Sequence, residues 1–180
     1  MNLYHGTTSK IGNIDLTKCR SRTDFGRGFY MTDKLGTARD WAIGKPSIDV
    51  RTPTVIRYSI NDALFSDKDI KILEFNEPSK EWLDFIKDNR RRDKSGASLK
   101  EPRHCYDIVC GPIANDKVVD VVIEYCNNLI TAEEAIPRLK TLPSVIQISF
   151  HTSLALSYIL SASFSQRDNN KWSAWKSADK

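Results

Sequence analysis

Short stretches in which apolar and polar residues alternate, or in which β-branched residues cluster, recur along the chain and predict β-strands. The six predicted strands are residues 2–6, 29–32, 52–60, 70–75, 106–113 and 144–150. Between them, apolar residues recur at intervals of three and four positions, which predicts helices. The five predicted helices are residues 34–45, 79–90, 116–130, 131–140 and 152–162. Because helices and strands do not follow a regular strand–helix–strand order, the pattern favours an α+β fold over a doubly wound parallel sheet.

Two of the predicted helices are preceded by a residue that caps a helix N-terminus. Thr131 is followed three positions later by Glu134, which makes a complete capping box, whereas Ser79 starts its helix with an imperfect one. The stretch 116–130 is ambiguous, because its β-branched residues fit a strand while their spacing also fits a helix. We expect a helix there.

The composition is that of an ordinary globular domain. Of the 180 residues, 40% are hydrophobic and 28% are charged, and no apolar run is long enough for a transmembrane helix. The first ten residues lack the basic start and apolar core of a signal peptide. We therefore expect a cytoplasmic protein with no membrane association and with four reduced cysteines. Their spacing matches no common zinc site, so no metal is expected.

The positive charge of the chain is partly concentrated in one segment. Part of the net charge of +4 lies in NRRRDKSG, Asn89–Gly96, which is either a solvated loop or a contact surface for an acidic partner or nucleic acid. Basic and aromatic residues are not interleaved elsewhere, so a dedicated nucleic-acid module is not supported.

We expect one domain over residues 1–162. The polar tail 163–180 should be loosely held unless Trp172 and Trp175 dock.

The glycines are concentrated near the N-terminus, where six of the eight lie within the first 44 residues. Some of them are explained by turns alone. The pair His5-Gly6 and the segment Gly26–Gly28 are explained less well, since each adjoins a predicted strand, where glycine often permits close approach of a ligand or a second backbone. The chain has neither a Rossmann nor a P-loop glycine motif, so a nucleotide would have to be held in another way.

The stretches LYHGT, DFGRGFYMT and ARDWA resemble the N-terminal signatures of the ADP-ribosyltransferase fold, in its poly(ADP-ribose)-polymerase-like, diphtheria-toxin-like branch. More closely, the chain to about Leu160 resembles a bacterial family of unassigned function, DUF3990. The further stretches that carry this resemblance are ILEFNEPSKEWLDFI, YDIVCGPIANDKV and IQISFHTSLALSYI. The resemblance implies two packed antiparallel or mixed β-sheets with flanking helices, and a cleft between the sheets that holds NAD.

The same resemblance implies roles for five residues. His5 matches the histidine that bonds the 2′-hydroxyl of the adenosine ribose, which suits imidazole because the neutral ring offers one donor and one acceptor. Gly6, with Thr7 beside it, matches the glycine whose backbone holds the nicotinamide carboxamide. Tyr30 and Trp41 match the two aromatic residues that stack on the cationic nicotinamide ring. Singly, His5 or Trp41 could be structural, but together they favour an NAD site in which His5 and Tyr30 also serve catalysis.

The phosphates of NAD are expected to contact the basic loop before the second strand. Arg20, Arg22 and Arg27 are the candidates, because a guanidinium matches the geometry of phosphate oxygens. The sequence does not choose among them. Gly28 belongs to the same implied cofactor-binding set.

The third motif departs from the usual pattern of the implied fold. Active members present a glutamate on a late strand, where it bonds the nicotinamide ribose and stabilises the charge that develops as nicotinamide leaves. In SVIQISFHT the matching residue is Gln147, or Ser149 if the register is shifted, and both lie on one face of the strand. A glutamine accepts the hydrogen bond without supplying charge, which argues against polymer synthesis. Glu124, Glu133 or Glu134 is the alternative source of a carboxylate.

Three functions stay open, all with NAD as substrate or ligand. We expect a mono-ADP-ribosyltransferase that moves one ADP-ribose from NAD to a protein or nucleic-acid acceptor. The alternatives are an NAD glycohydrolase, for which water is the acceptor, and an inactive module that binds NAD or ADP-ribose. By analogy with small bacterial members of the fold, we expect a toxin, effector or defence role, in the cytoplasm or in the cytosol of a target cell. A toxin would have a cognate antitoxin or immunity protein as its partner.

Overall fold

A computed structural model of the protein describes residues 1–9, 12–44, 52–91, 104–114, 118–140 and 145–178. The nine strands in these residues are β1 Asn2–Thr7, β2 Phe29–Met31, β3 Thr54–Ile60, β4 Ile72–Glu74, β5 Ile108–Pro112, β6 Ile146–Phe150, β7 Ile159–Asp168, β8 Lys171–Trp172 and β9 Lys176–Ser177. The five α-helices in the same residues are α1 Leu35–Gly44, α2 Lys80–Arg90, α3 Val119–Cys126, α4 Ala132–Lys140 and α5 Ser153–Leu156. The predicted α+β class with two sheets is confirmed.

The two sheets differ in the direction of their strands. The first has the order β1-β3-β7-β8, with β9 also paired to β7, and every pairing in it is antiparallel. The second has the order β2-β6-β5-β4 and is mixed, because β4 and β5 are parallel while β5 and β6 are antiparallel. The chain also divides into two compact units. Unit 1 comprises Met1–Ile14, Tyr30–Ile70 and Ser153–Lys180, and unit 2 comprises Asp15–Phe29 and Lys71–Thr152.

In unit 1, α1 covers one face of the first sheet. Ala38 and Ala42 are fully buried beside Val55 of β3, so small side chains let the helix approach the strand closely. The C-terminal indoles complete this cluster, since both Trp172 and Trp175 pack against it. The two tryptophans of the C-terminal tail therefore dock on the core of unit 1.

The helix predicted over residues 152–162 is wrong for most of its length. Only Ser153–Leu156 is helical, and Ile159–Asp168 forms β7 instead. β7 lies between β3 and the short outer strands. It pairs with the whole of β3, from Thr54 to Ile60. Because this pairing satisfies the backbone of an apolar run that would otherwise favour a helix, tertiary contact overrides the local pattern.

In unit 2, α2 packs against α3 and α3 against α4. Two caps start these helices as expected. Ser79 accepts a hydrogen bond from the Trp82 amide at 3.2 Å, and Thr131 and Glu134 exchange bonds of 2.8 and 3.3 Å. The ambiguous stretch contains α3, which confirms the predicted helix.

Three further predictions concern membrane spans, the cysteines and the basic segment. None of the helices in the described residues is long and apolar enough to cross a membrane. The four cysteines are free thiols. Of the basic segment, residues 89–91 end α2, and residues 92–96 lie outside the described part of the chain.

Candidate functional site

The residues predicted to bind NAD fall into two groups, one in each unit. Unit 1 contains His5, Gly6, Thr7, Tyr30 and Trp41. Unit 2 contains Arg20, Arg27, Gly28, Gln147 and Ser149, together with Arg22. Each group is described by itself.

In unit 1, His5 is fixed to the backbone of Tyr30. The two residues belong to adjacent segments, because the backbones of Tyr4 and Thr32 exchange hydrogen bonds of 2.8 and 3.0 Å. The His5 Nδ1 lies 2.7 Å from the carbonyl oxygen of Tyr30. A carbonyl only accepts, so Nδ1 carries the proton, and Nε2 of the neutral ring is a hydrogen-bond acceptor. The structure thus brings the first two predicted motifs together and sets the tautomer of the histidine.

Gly6 is the point at which α1 comes closest to β1. A Cβ added to Gly6 would overlap the carbonyl of Ala38 and lie 2.9 Å from the Cβ of Trp41. Helix packing therefore requires glycine here, and it places the half-buried Trp41 beside Gly6. Backbone groups of alternate residues point to the same edge of a strand, so the N–H and C=O of Gly6 face the edge at which Tyr4 bonds its neighbour. Thr7, which is buried, accepts a hydrogen bond from the Ser9 amide at 3.0 Å.

In unit 2, Gly28 and Ser149 both contact His151. A Cβ on Gly28 would lie 2.6 Å from His151 Nδ1, so the glycine makes room for the ring. This Nδ1 donates to the carbonyl of Arg27 at 2.8 Å, which leaves Nε2 to accept from the Ser149 hydroxyl at 2.8 Å. The hydroxyl also lies 3.1 Å from the carbonyl of Val109. Because Ser149 is fully buried, this serine–histidine pair ties β6 to the glycine segment rather than presenting a nucleophile.

A second imidazole lies against the first. His104 meets His151 edge to face, with 4.5 Å between ring centroids, and its Nε2 donates to the Phe25 carbonyl at 2.9 Å. The pKa of His151 is lowered to about 4, chiefly by burial; the hydrogen bond to Arg27 opposes this lowering and the nearby His104 contributes to it. Burial also lowers the pKa of His104. Both rings are therefore neutral at pH 7.

Gln147 takes part in a buried polar network with Asp24. Its Nε2 donates to Asp24 Oδ2 at 2.7 Å and lies 3.3 Å from the carbonyl of Pro112. Asp24 also accepts from Arg90 Nη2 at 2.5 Å and from the Ala114 amide at 3.2 Å. Since Nε2 faces two acceptors, the orientation of the amide is set and Oε1 is the atom that can accept a further hydrogen bond. Only 5% of Gln147 is exposed.

The three candidate arginines are distinguished by their surroundings. Arg27 donates from Nη1 to the carbonyl of Thr17 at 2.9 Å, while its Nε is buried and has no hydrogen-bond partner in the described residues. A buried unpaired donor costs about 1–3 kcal/mol, so an anionic oxygen would be favoured there. Arg20 and Arg22 are exposed, and Arg22 lines a cavity between α2 and α3.

The alternative carboxylates have partners on the helices of unit 2. Glu124 forms an ion pair of 2.7 Å with Arg138, and Glu134 belongs to the capping box of α4. Glu133 lies in the first turn of α4, where a backbone hydrogen bond lowers its pKa. No group of three metal-ligating side chains occurs among the described residues.

Sequence reasoning missed three members of the unit 2 group. The sequence marks Asp24 only as the first residue of the glycine motif, and it predicts no role for Arg90 or His151. Strand alternation gave a signal for His151, because it lies two positions after Ser149 and shares its face. Nothing local marks Asp24 and Arg90 as partners, since they are far apart in sequence.

One comparison with known proteins identifies a family. A family described as protein of unknown function (DUF3990) matches residues 1–160. No match was found among curated proteins or among solved structures.

Proposed function

The chain belongs to the DUF3990 family, and we propose that it is an NAD-dependent mono-ADP-ribosyltransferase with an ADP-ribosyltransferase-like fold. In this reaction the bond between C1′ of the ribose and the nicotinamide nitrogen breaks, and nicotinamide leaves with the bonding electron pair. A nucleophilic atom of a macromolecular acceptor then bonds C1′ and loses its proton. The proposal is supported by the motifs of the sequence and by the geometry of unit 1.

The hydrogen bond between His5 and Tyr30 is the observation that carries the proposal. It commits Nδ1 to a protein carbonyl, so Nε2 is the acceptor nitrogen of the neutral tautomer, and a ribose hydroxyl donates to an acceptor of this kind. It also joins the histidine-glycine motif to the strand of Tyr30.

Gly6, Tyr30 and Trp41 would hold the nicotinamide. Gly6 directs both a donor and an acceptor of its backbone to one edge of β1, which matches the two polar groups of a carboxamide. Tyr30 and Trp41 would stack on the cationic ring, an attraction worth about 0.5–2 kcal/mol. The packing of Trp41 against Gly6 favours this arrangement.

Within unit 2, Gln147 and Arg27 are the residues to which we assign roles. In the order of the motifs, Gln147 occupies the place of the glutamate, and its Oε1 would accept from a ribose hydroxyl. The unpaired Nε of Arg27 would donate to a phosphate oxygen. Without a charged carboxylate at position 147, we expect transfer of one ADP-ribose rather than chain synthesis.

A second candidate function is a module that binds NAD or ADP-ribose without chemistry. It is favoured by the network of Gln147, whose amide bonds Asp24 and whose side chain is nearly buried. An NAD glycohydrolase is the third candidate. The acceptor, the toxin or defence role, the cytosolic site of action and an antitoxin or immunity partner stay predictions.

Incubation with NAD labelled on its adenine side, with and without cell lysate, separates these functions. Free nicotinamide and labelled macromolecule are measured for the wild type, Tyr30→Ala and Gln147→Ala, with Tyr30→Phe as the control that keeps the stacking ring. We expect label in lysate macromolecules for the wild type and Tyr30→Phe, and its loss in both alanine variants. Nicotinamide release without label would indicate a glycohydrolase. Binding of NAD without release would leave only the binding module.

A further inference from the structure

A cavity of about 730 Å³ lies between the end of α2 and the end of α3, and we call it the α2–α3 pocket. Its cationic side is formed by Arg22, Lys87, Arg90 and Arg91. Three of these four residues come from the last turn of α2 and the residue after it, so one helix end concentrates the charge. Asp88 is the acidic residue that lines the pocket.

Within the described residues, two of these cations have acidic partners and two do not. Arg90 pairs with Asp24 at 2.5 Å, and Arg91 lies 3.5 Å from Asp88. Lys87 donates to the neutral amide oxygen of Asn128 at 2.6 Å. Among the described residues, neither Arg22 nor Lys87 forms an ion pair, so the pocket has a surplus of positive charge.

The opposite side of the pocket comes from α3 and the turn after it. Ile123 and Cys126 provide an apolar surface, and 44% of Ile123 is exposed. The amides of Asn127 and Asn128 follow, and Asn128 adopts a left-handed conformation with φ of 58° that ends the helix. Burial raises the pKa of the Cys126 thiol, and the charges of Arg90 and Lys87 oppose that rise.

We propose that the α2–α3 pocket binds a free nucleotide, that is, a phosphorylated ligand with an aromatic base. The cationic side would hold the phosphates, because guanidinium and ammonium groups form strong charge-assisted bonds to phosphate oxygens. Ile123 and Cys126 would contact the base, and the two asparagine amides offer both donors and acceptors to its edge. The volume lies in the range typical of small-molecule sites. This site goes beyond the proposed NAD chemistry and does not depend on it.

The test is an amide chemical-shift titration of the full chain with ADP, pyrophosphate, adenosine and a single-stranded oligothymidylate. Wild type and Tyr30→Ala are both titrated, because the latter impairs the proposed NAD site. The charge variant is Lys87→Gln/Arg91→Gln. The matched control is Lys18→Gln/Lys71→Gln, which removes the same charge from exposed positions outside the pocket.

We expect ADP to shift the amides of Lys87, Arg91, Asn127 and Asn128 in both wild type and Tyr30→Ala. The charge variant should bind ADP at least about tenfold more weakly, because two phosphate contacts are lost. The control variant should change the affinity for ADP less than about threefold. Pyrophosphate should bind at least about tenfold more weakly than ADP, and adenosine should not saturate the pocket. Both results are expected because the base and the phosphates each contribute to the binding free energy.

Three results would overturn the proposal. ADP shifts confined to residues near Gly6 and Tyr30 would place the nucleotide elsewhere. Equal affinity for pyrophosphate and ADP would mean an anion site without base recognition. Pocket shifts with oligothymidylate but not with ADP would mean a nucleic-acid contact surface. Since none of these readouts requires turnover of NAD, the absence of transferase activity would leave the test intact.

Discussion

The side-chain amide of Gln147 donates to the carboxylate of Asp24 over 2.7 Å, across 123 positions of sequence. Arg90 binds the other oxygen of the same carboxylate at 2.5 Å. The position that we match to the glutamate of the proposed fold is thus already next to a buried acid. A second carboxylate there would face the first at hydrogen-bond distance, so this network offers a physical reason for glutamine.

Gln147→Glu should therefore destabilise the protein, by about 1–3 kcal/mol at pH 8, because it places two carboxylates together. Repulsion raises the pKa of the new group in the folded state. Its protonated form is compatible with folding, so the penalty is smallest at low pH and grows as pH rises through that pKa. Urea unfolding of variant and wild type at pH 5 and pH 8 measures the difference.

The double variant Asp24→Asn/Gln147→Glu is the control for this effect. It restores a donor opposite an acceptor, so its loss of stability should be less than the sum of the two single losses. Additive losses, or a Gln147→Glu penalty that is the same at both pH values, would contradict repulsion as the cause.

Gly28→Ala should lower the free energy of unfolding by about 1–3 kcal/mol, because its Cβ would lie 2.6 Å from the His151 ring and 3.0 Å from the Phe150 carbonyl. Gly36→Ala is the matched control. Gly36 lies in the first turn of α1 with no atom near its Cβ position, so alanine should be neutral or stabilise by up to about 1 kcal/mol. Urea unfolding of both variants decides the matter. Equal effects would mean that His151 moves away at little cost.

The sequence predicted those parts of the fold whose cause is local. α1, α2 and α4 were predicted to within a few residues, because apolar spacing and the caps at Ser79 and Thr131 lie inside the segments themselves. β7 was predicted as a helix because its strand identity depends on pairing with β3, which is about a hundred residues away along the chain.

The candidate site divides in the same way. The motif around His5 and the motif around Tyr30 were visible in the sequence, and the structure joins them by a hydrogen bond. The network of Asp24 was not visible, because its partners come from different elements. Gly28 was predicted to contact a ligand, and the structure gives it a packing role against His151.

Acidification should destabilise the protein through His151. Burial lowers the pKa of His151 from 6.5 to about 4, so the folded state binds fewer protons than the unfolded state between these values. The stability from the neutral ring is fully present above pH 6.5 and is lost as pH falls towards 4, by up to about 1.4 kcal/mol per pH unit. Urea unfolding at pH 7, 6 and 5 gives the slope. His151→Gln should flatten it relative to wild type, and an unchanged slope would assign the effect to other groups.

His5→Asn separates the structural role of His5 from its proposed role in binding. An asparagine amide nitrogen can replace Nδ1 as the donor to the Tyr30 carbonyl, but it leaves no acceptor where Nε2 lies. We therefore expect stability within about 1 kcal/mol of wild type and NAD affinity about tenfold lower, which corresponds to one lost hydrogen bond. His5→Ala, which removes both groups, should lower stability as well as affinity. Urea unfolding and calorimetric titration with NAD measure the two effects. If His5→Asn folds normally and binds NAD like the wild type, Nε2 does not contact the ligand, and the proposed function loses the observation that carries it.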